Sequence, residues 1–240
     1  MTSGATNPQS RWLGTTKLVW VFLVIESLLC LAHIYWHLTW RGRSDQPEGW
    51  LELFDVRRDH GLFQWGTILA NLTVGFLGLH IARSPAPTRR RGWFLVGMLF
   101  VYLAVDDALT IHEWLNGFVD RNVTQQELVH PWLLLMLPVF GVFGVLAIRF
   151  LHTEFRSDRR ALLLMWLAFL AMAAALLLEV IERTVANTDT RLRGLEIIEY
   201  VPVLEEYLEM LAPVLLIYCF GSHPHRSDAN HCNETRCEGL

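Results

Sequence analysis

The chain has 240 residues, of which 52% are hydrophobic and 18% charged, with a formal net charge of -4. That balance excludes a basic nucleic-acid binder, because no basic stripe interleaved with aromatics occurs. It also argues against a soluble helical protein, which would need polar amphipathic helices to cover its core.

Apolar runs of about 20 residues, each long enough to cross a ~30 Å hydrocarbon layer as a helix, can be drawn at 17–38, 62–83, 93–115, 132–150, 161–182 and 200–220. The expectation is an all-α, polytopic membrane protein with about six transmembrane helices in one bundle over 1–221. A polar tail, disordered and cytoplasmic, follows over 222–240. The first span is too long for a signal peptide, and "SLLC" around Cys30 lacks the small residues of a processing site. Cys30 and Cys219 fall in spans and read as small apolar residues. Cys232 and Cys237 sit in the tail with His223, His225 and His231, at a spacing that matches no zinc pattern.

Orientation follows the distribution of Lys and Arg in short loops. Arg83, Arg89, Arg90 and Arg91 lie between spans two and three, and Arg149, Arg156, Arg159 and Arg160 between spans four and five. Both loops belong inside, so both termini are expected in the cytoplasm of a bacterial inner membrane. The loop at 41–60 mixes Arg41, Arg43, Arg57 and Arg58 with Asp45, Glu48, Glu52, Asp55 and Asp59.

Set in that frame, the ionisable residues converge on one leaflet. In "VDDALTIHEW" (Val105–Trp114), span three carries Asp106, Asp107, His112 and Glu113 into its outer half. Span one brings Glu26 to the midplane and His33 and His37 above it. Span five ends on Glu179 and Glu182, span six begins with Glu205, Glu206 and Glu209, and Asp59 precedes span two. Residues three, four or seven apart share a helix face, so Asp106, Thr110 and Glu113 are expected to form one stripe and Glu26, His33 and His37 another. An acid at the centre of a spanning helix costs on the order of 2.5–3.5 kcal/mol even on the lenient insertion scale. These residues must therefore face the bundle interior. Within the spans no Lys or Arg stands beside them, which leaves protons, bound cations, or arginines at the boundary such as Arg57, Arg58, Arg121 and Arg183 as neutralisers.

Three readings are open. Polar residues can simply hydrogen-bond across helices, which suits Ser27, Asn71 and Thr110. Carboxylates on several helices with a few histidines are also the ligand set of a divalent metal, zinc or iron, in a membrane hydrolase or di-metal oxidoreductase acting on a lipid or lipophilic substrate. Intramembrane acids without basic partners serve proton- or cation-coupled transport as well, although no cytoplasmic half-pathway and no inverted repeat is visible. The metalloenzyme is preferred. Its expected ligands are Asp106, Glu113, Glu179, Glu206 and Glu209, with His33 and His112 as nitrogen donors. His112 and Asp107 are the expected catalytic acid–base pair. Glu26, His37, Asp59, Glu182 and Glu205 support the ligands from behind. Arg121, Arg183 and Trp65 are expected to meet the substrate, the arginines through a headgroup phosphate. Haem is disfavoured, because His33 and His37 share one helix while axial pairs come from opposing ones.

"VYLAVDDALTIHEW", "FDVRRDHGLFQWG" from Phe54 and "LEEYLEM" ending at Met210 resemble motifs of a group of uncharacterised multi-pass bacterial membrane proteins. These carry an Asp-acid pair followed by His-Glu in a central span and a paired Glu in the last. The resemblance implies that Asp59, Trp65, Asp106, Asp107, His112, Glu113, Glu206 and Glu209 act as one set, and it implies no activity.

Overall fold

The computed structural model describes residues 8–40, 61–84, 89–111, 114–115, 131–188 and 200–223. Within them the chain forms six long helices and no strand: α1 (Pro8–Trp40), α2 (Leu62–Arg83), α3 (Arg90–Leu109), α4 (Pro131–Phe155), α5 (Arg159–Thr188) and α6 (Val201–Ser222). Five of them, α1 to α5, are long and apolar enough to cross a membrane. α6 has 22 residues and carries Glu205, Glu206 and Glu209, so its apolar run is interrupted at its first turns. The chain is a polytopic, all-helical membrane protein.

The elements pack as two tight pairs, α2 with α3 and α5 with α6, joined where α6 lies against α2 and α1. Small residues allow the first pair to approach closely. A Cβ added at Gly97 would stand 2.9 Å from the Gly75 carbonyl oxygen and 2.9 Å from the Leu79 amide nitrogen. Backbones this near gain van der Waals contact that larger side chains would prevent, the main attraction available where lipid competes for every apolar surface. α4 is more loosely attached, with its best contacts to α5 and α3.

Along its axis the bundle has two unlike ends. At one end the start of α3, the end of α4 and the end of α6 meet in an aromatic cluster. Trp93 is fully buried there, with ring centroids 5.1 Å from Phe220, 5.4 Å from Phe150 and 6.1 Å from Phe155. The His223 ring packs on Trp93 at 4.7 Å, and its Nε2 lies 3.4 Å from Glu154, which also faces Arg89 at 3.7 Å and accepts the Trp93 indole N–H. The turn from α4 to α5 is sealed by Asp158, whose Oδ1 accepts the amides of Arg160 (2.7 Å) and Ala161 (3.0 Å). This pairing satisfies two of the four orphan donors of a helix start. At the other end, Leu29 of α1, Phe63 of α2 and Val203 of α6 form a smaller apolar group beside the acids.

Span three differs from its expected course. Hydropathy runs to residue 115, but α3 stops at Leu109, and Thr110 takes the left-handed conformation (φ 48°, ψ 42°). Its own amide still donates to the Asp106 carbonyl, and helical bonding resumes with Trp114 N–H to Thr110 C=O at 3.1 Å. A left-handed residue interrupts the regular helix between Asp106 and the residues after Thr110. The stripe expected of Asp106, Thr110 and Glu113 ends on Glu113, which lies outside the described residues. A β-branched residue is a poor host for positive φ, and the conformation costs roughly 1–3 kcal/mol.

Candidate functional site

The acids at the second end come together mainly around α6. Glu209 lies within electrostatic reach of Glu206 and Glu205 on its own helix, of Asp107 on α3 and of Glu179 on α5. Three helices thus deliver five carboxyl groups to one region. One turn after Glu209 stands Pro213, buried inside α6. Proline has no N–H, so the Glu209 carbonyl lacks the donor that the residue four positions on would normally supply. Away from water such an oxygen must find another partner.

α2 supplies the polar wall that fixes Asp107. Gln64, Thr67 and Asn71 recur at the three- and four-residue spacing of one helix face. The Gln64 Nε2 donates to the Asp107 main-chain carbonyl at 2.7 Å, and the Asn71 Nδ2 to the Asp107 carboxylate Oδ2 at 3.4 Å. The last four carbonyls of a helix have no intrahelical donor. Gln64 therefore caps the end that the Thr110 turn creates. The buried Thr67 hydroxyl between them has no hydrogen-bond partner among the described residues. Asp106 is buried and lies within electrostatic reach of Tyr102, one turn before it.

α1 closes the site from the other side. Glu26, Leu29, Cys30 and His33 lie along one face, with Glu26 0% exposed and His33 4%. Cys30 feels the charges of both Glu26 and Glu206, and Tyr207 on α6 feels Glu26 and Cys30, so the α1 face meets the acidic turns of α6. Both Glu26 carboxyl oxygens are without a hydrogen-bond partner among the described residues. His33 packs edge-on to Phe63, with ring centroids 6.5 Å apart.

The structure thus brings Asp107, Glu179, Glu205, Glu206 and Glu209 together, sets Glu26 beside them across Cys30 and Tyr207, and places His33 against Phe63. Trp65 is 49% exposed at the start of α2. His112, Glu113, Arg121 and Asp59 lie outside the described residues, as do the side chains of His37, Glu182 and Arg183, whose backbones belong to α1 and α5. Among the described residues no three His, Cys, Asp or Glu side chains stand close enough to hold a metal as placed. Cys30, Gln64, Tyr207 and Pro213 were not anticipated as parts of this region. The spacing of Gln64 with Asn71, and of Cys30 with Glu26, was the available signal, whereas Tyr207 and Pro213 gain meaning only beside a neighbouring helix.

No curated protein and no solved structure matches the chain. A family model matches residues 28–223, a stretch that contains every acid of the cluster apart from Glu26. That match covers most of the chain, and the protein accordingly belongs to the family described as a domain of unknown function (DUF8692).

Proposed function

We propose that the protein is a membrane-embedded, metal-dependent enzyme, a hydrolase or oxidoreductase, that acts on a lipid or lipophilic substrate at its acidic end. The observation that carries this reading is the gathering of Asp107, Glu179, Glu205 and Glu206 around Glu209. Apart from Arg183, every Lys and Arg of the six helices belongs to the opposite end or the turns next to it. Five carboxylates in a low-dielectric setting repel one another strongly, and a bound divalent cation offsets that repulsion directly. The donor set is oxygen throughout, with the Glu209 carbonyl as a further oxygen freed by Pro213. Oxygen donors suit hard ions such as magnesium, manganese or calcium, and also iron, better than zinc, which favours nitrogen and sulfur.

When bound, such an ion would polarise a substrate oxygen or activate water or dioxygen. Asp107, oriented by Asn71 and Gln64, is suited to accept a proton beside it, with His112 as its expected partner. Access from the lipid phase is supported by the side chains around the acids. Glu205 to Glu209 are partly exposed, Leu204 before them on α6 presents a large apolar surface, and Trp65 at the start of α2 and Trp114 beyond the Thr110 turn are exposed as well. Arginine counts favour a bacterial inner membrane with both termini inside, which puts the acids in the outer leaflet, where Arg121 and Arg183 can meet a headgroup phosphate.

A second reading, proton- or cation-coupled transport, is favoured by Glu26, a fully buried acid without a hydrogen-bond partner among the described residues. Elemental analysis of detergent-purified protein separates the two. The enzyme reading expects about one divalent ion per chain after loading, and less than about a tenth of that in a Glu206→Gln, Glu209→Gln variant. Metal absent from both proteins would overturn it, and substrate-driven proton flux in liposomes would then establish transport.

A further inference from the structure

The hairpin of α4 and α5, at the end opposite to the acids, carries positive charge into a span. Pro138–Phe155 is the stretch of α4 long and apolar enough to cross a membrane, and Arg149 lies in it, about 9 Å before its end. An arginine at such a depth is costly unless its guanidinium reaches an anion or water. Arg149 is exposed on the bundle surface, and so is His152, three residues on and on the same helix face, with exposed Arg156 following in the turn. Among the described residues no carboxylate forms an ion pair with these three. The acids of the hairpin are used elsewhere: Glu154 faces Arg89 and His223, and Asp158 accepts the amides of Arg160 and Ala161.

The apolar part of the same surface lies on α5. Leu163, Trp166 and Leu170 stand three and four residues apart, so they share a helix face, and all three are exposed. The two faces adjoin, because the rings of His152 and Trp166 are 6.0 Å apart at 64°. From the turn inward the surface therefore changes from cationic to apolar, in the order in which a phospholipid presents its phosphate and its acyl chains. Arginines within a turn need no more than the general bias of loop charge, but Arg149 and His152 lie inside the span, where that bias does not reach. We infer that the α4–α5 hairpin binds one anionic phospholipid, its phosphate held by Arg149 and His152 with Arg156 beside it, and an acyl chain lying along Trp166 and Leu170. The paired donors of a guanidinium suit a phosphate better than a point charge would. The site does not depend on the activity proposed for the acidic end.

The test is native mass spectrometry of the purified full-length protein in detergent, with phosphatidylglycerol or phosphatidylcholine of the same acyl chains added. Wild type should retain one phosphatidylglycerol, several-fold more than phosphatidylcholine. Replacing Arg149→Gln together with His152→Gln should lower the phosphatidylglycerol-bound fraction about tenfold. Arg149→Gln alone serves if the double variant does not fold. Arg90→Gln with Arg91→Gln, which removes charge at the start of α3 instead, should leave retention unchanged. Inorganic phosphate in large excess should not displace the lipid, because it lacks the chains that Trp166 and Leu170 meet. Equal retention of the two lipids would mean ordinary boundary lipid, and equal loss in the two double variants a diffuse charge effect; either result overturns the site. Displacement by phosphate would leave a bare anion site in its place, and a dimer that carries no lipid would show a second copy of the chain on this face, each of which overturns the lipid as occupant.

Discussion

Thr110 shows how one residue can redirect a span. Its positive φ ends α3 one turn after Asp106, and the carbonyl end so created is met by Gln64 from α2. The αL conformation is costly for threonine and free of steric penalty for glycine, so Thr110→Gly should stabilise the protein by up to about 1 kcal/mol. A thermal unfolding series in detergent reads this as a small rise in Tm. A fall of several degrees would mean that the helix runs on through 110. Asp107 is the residue this turn serves, because the same two α2 amides hold its carbonyl and its carboxylate. The sequence marks Asp107 as an ionisable group in a span, but its partners lie more than thirty positions away, and nothing local to it points to Gln64 or Asn71.

At the scale of elements, periodicity and hydropathy located helices well and their interfaces poorly. α2 occupies 62–83 as the apolar run indicates, because Arg83 and the Ser84-Pro85 junction end it chemically. α3 was expected six residues too long, since hydropathy registers apolar content and not the dihedral of a single threonine. The α2–α3 contact is governed by glycines that expose backbone to backbone. Gly97→Ala should destabilise the bundle by about 1–3 kcal/mol, because the added methyl meets main-chain atoms that cannot yield as a flexible side chain would. Gly141→Ala on α4, where an added Cβ meets nothing within 4 Å, should leave Tm unchanged or slightly raised. Equal effects of the two substitutions would contradict the close approach of α2 and α3. α6 is least legible from hydropathy, since its glutamates lower the score of a helix that packs against α1, α2 and α5 at once.

For the whole molecule, the separation of a tight aromatic end from an acidic end assigns stability and chemistry to different halves. Trp93, Phe155, Phe220 and the Glu154–His223 contact tie α3, α4 and α6 at the end richest in arginine, leaving the other end free to hold mutually repulsive acids. Which end faces out is a separate matter that cysteine labelling decides. Gly117→Cys should react with a membrane-impermeant maleimide in intact cells, and reaction only after lysis would invert the orientation. The sequence by itself determined that the chain is all-helical, roughly where its long helices lie, and that acids accumulate toward one end, because hydrophobic run length and the cost of a charge in lipid are properties of each segment alone. Only the tertiary structure decided that Glu209 is the meeting point, that Asp107 is held by α2, and that Glu26 is buried, without a hydrogen-bond partner among the described residues, on the face of α1 that carries Cys30. Those relations depend on helix rotation and on contacts between segments far apart in the chain, and no spacing within one helix encodes them.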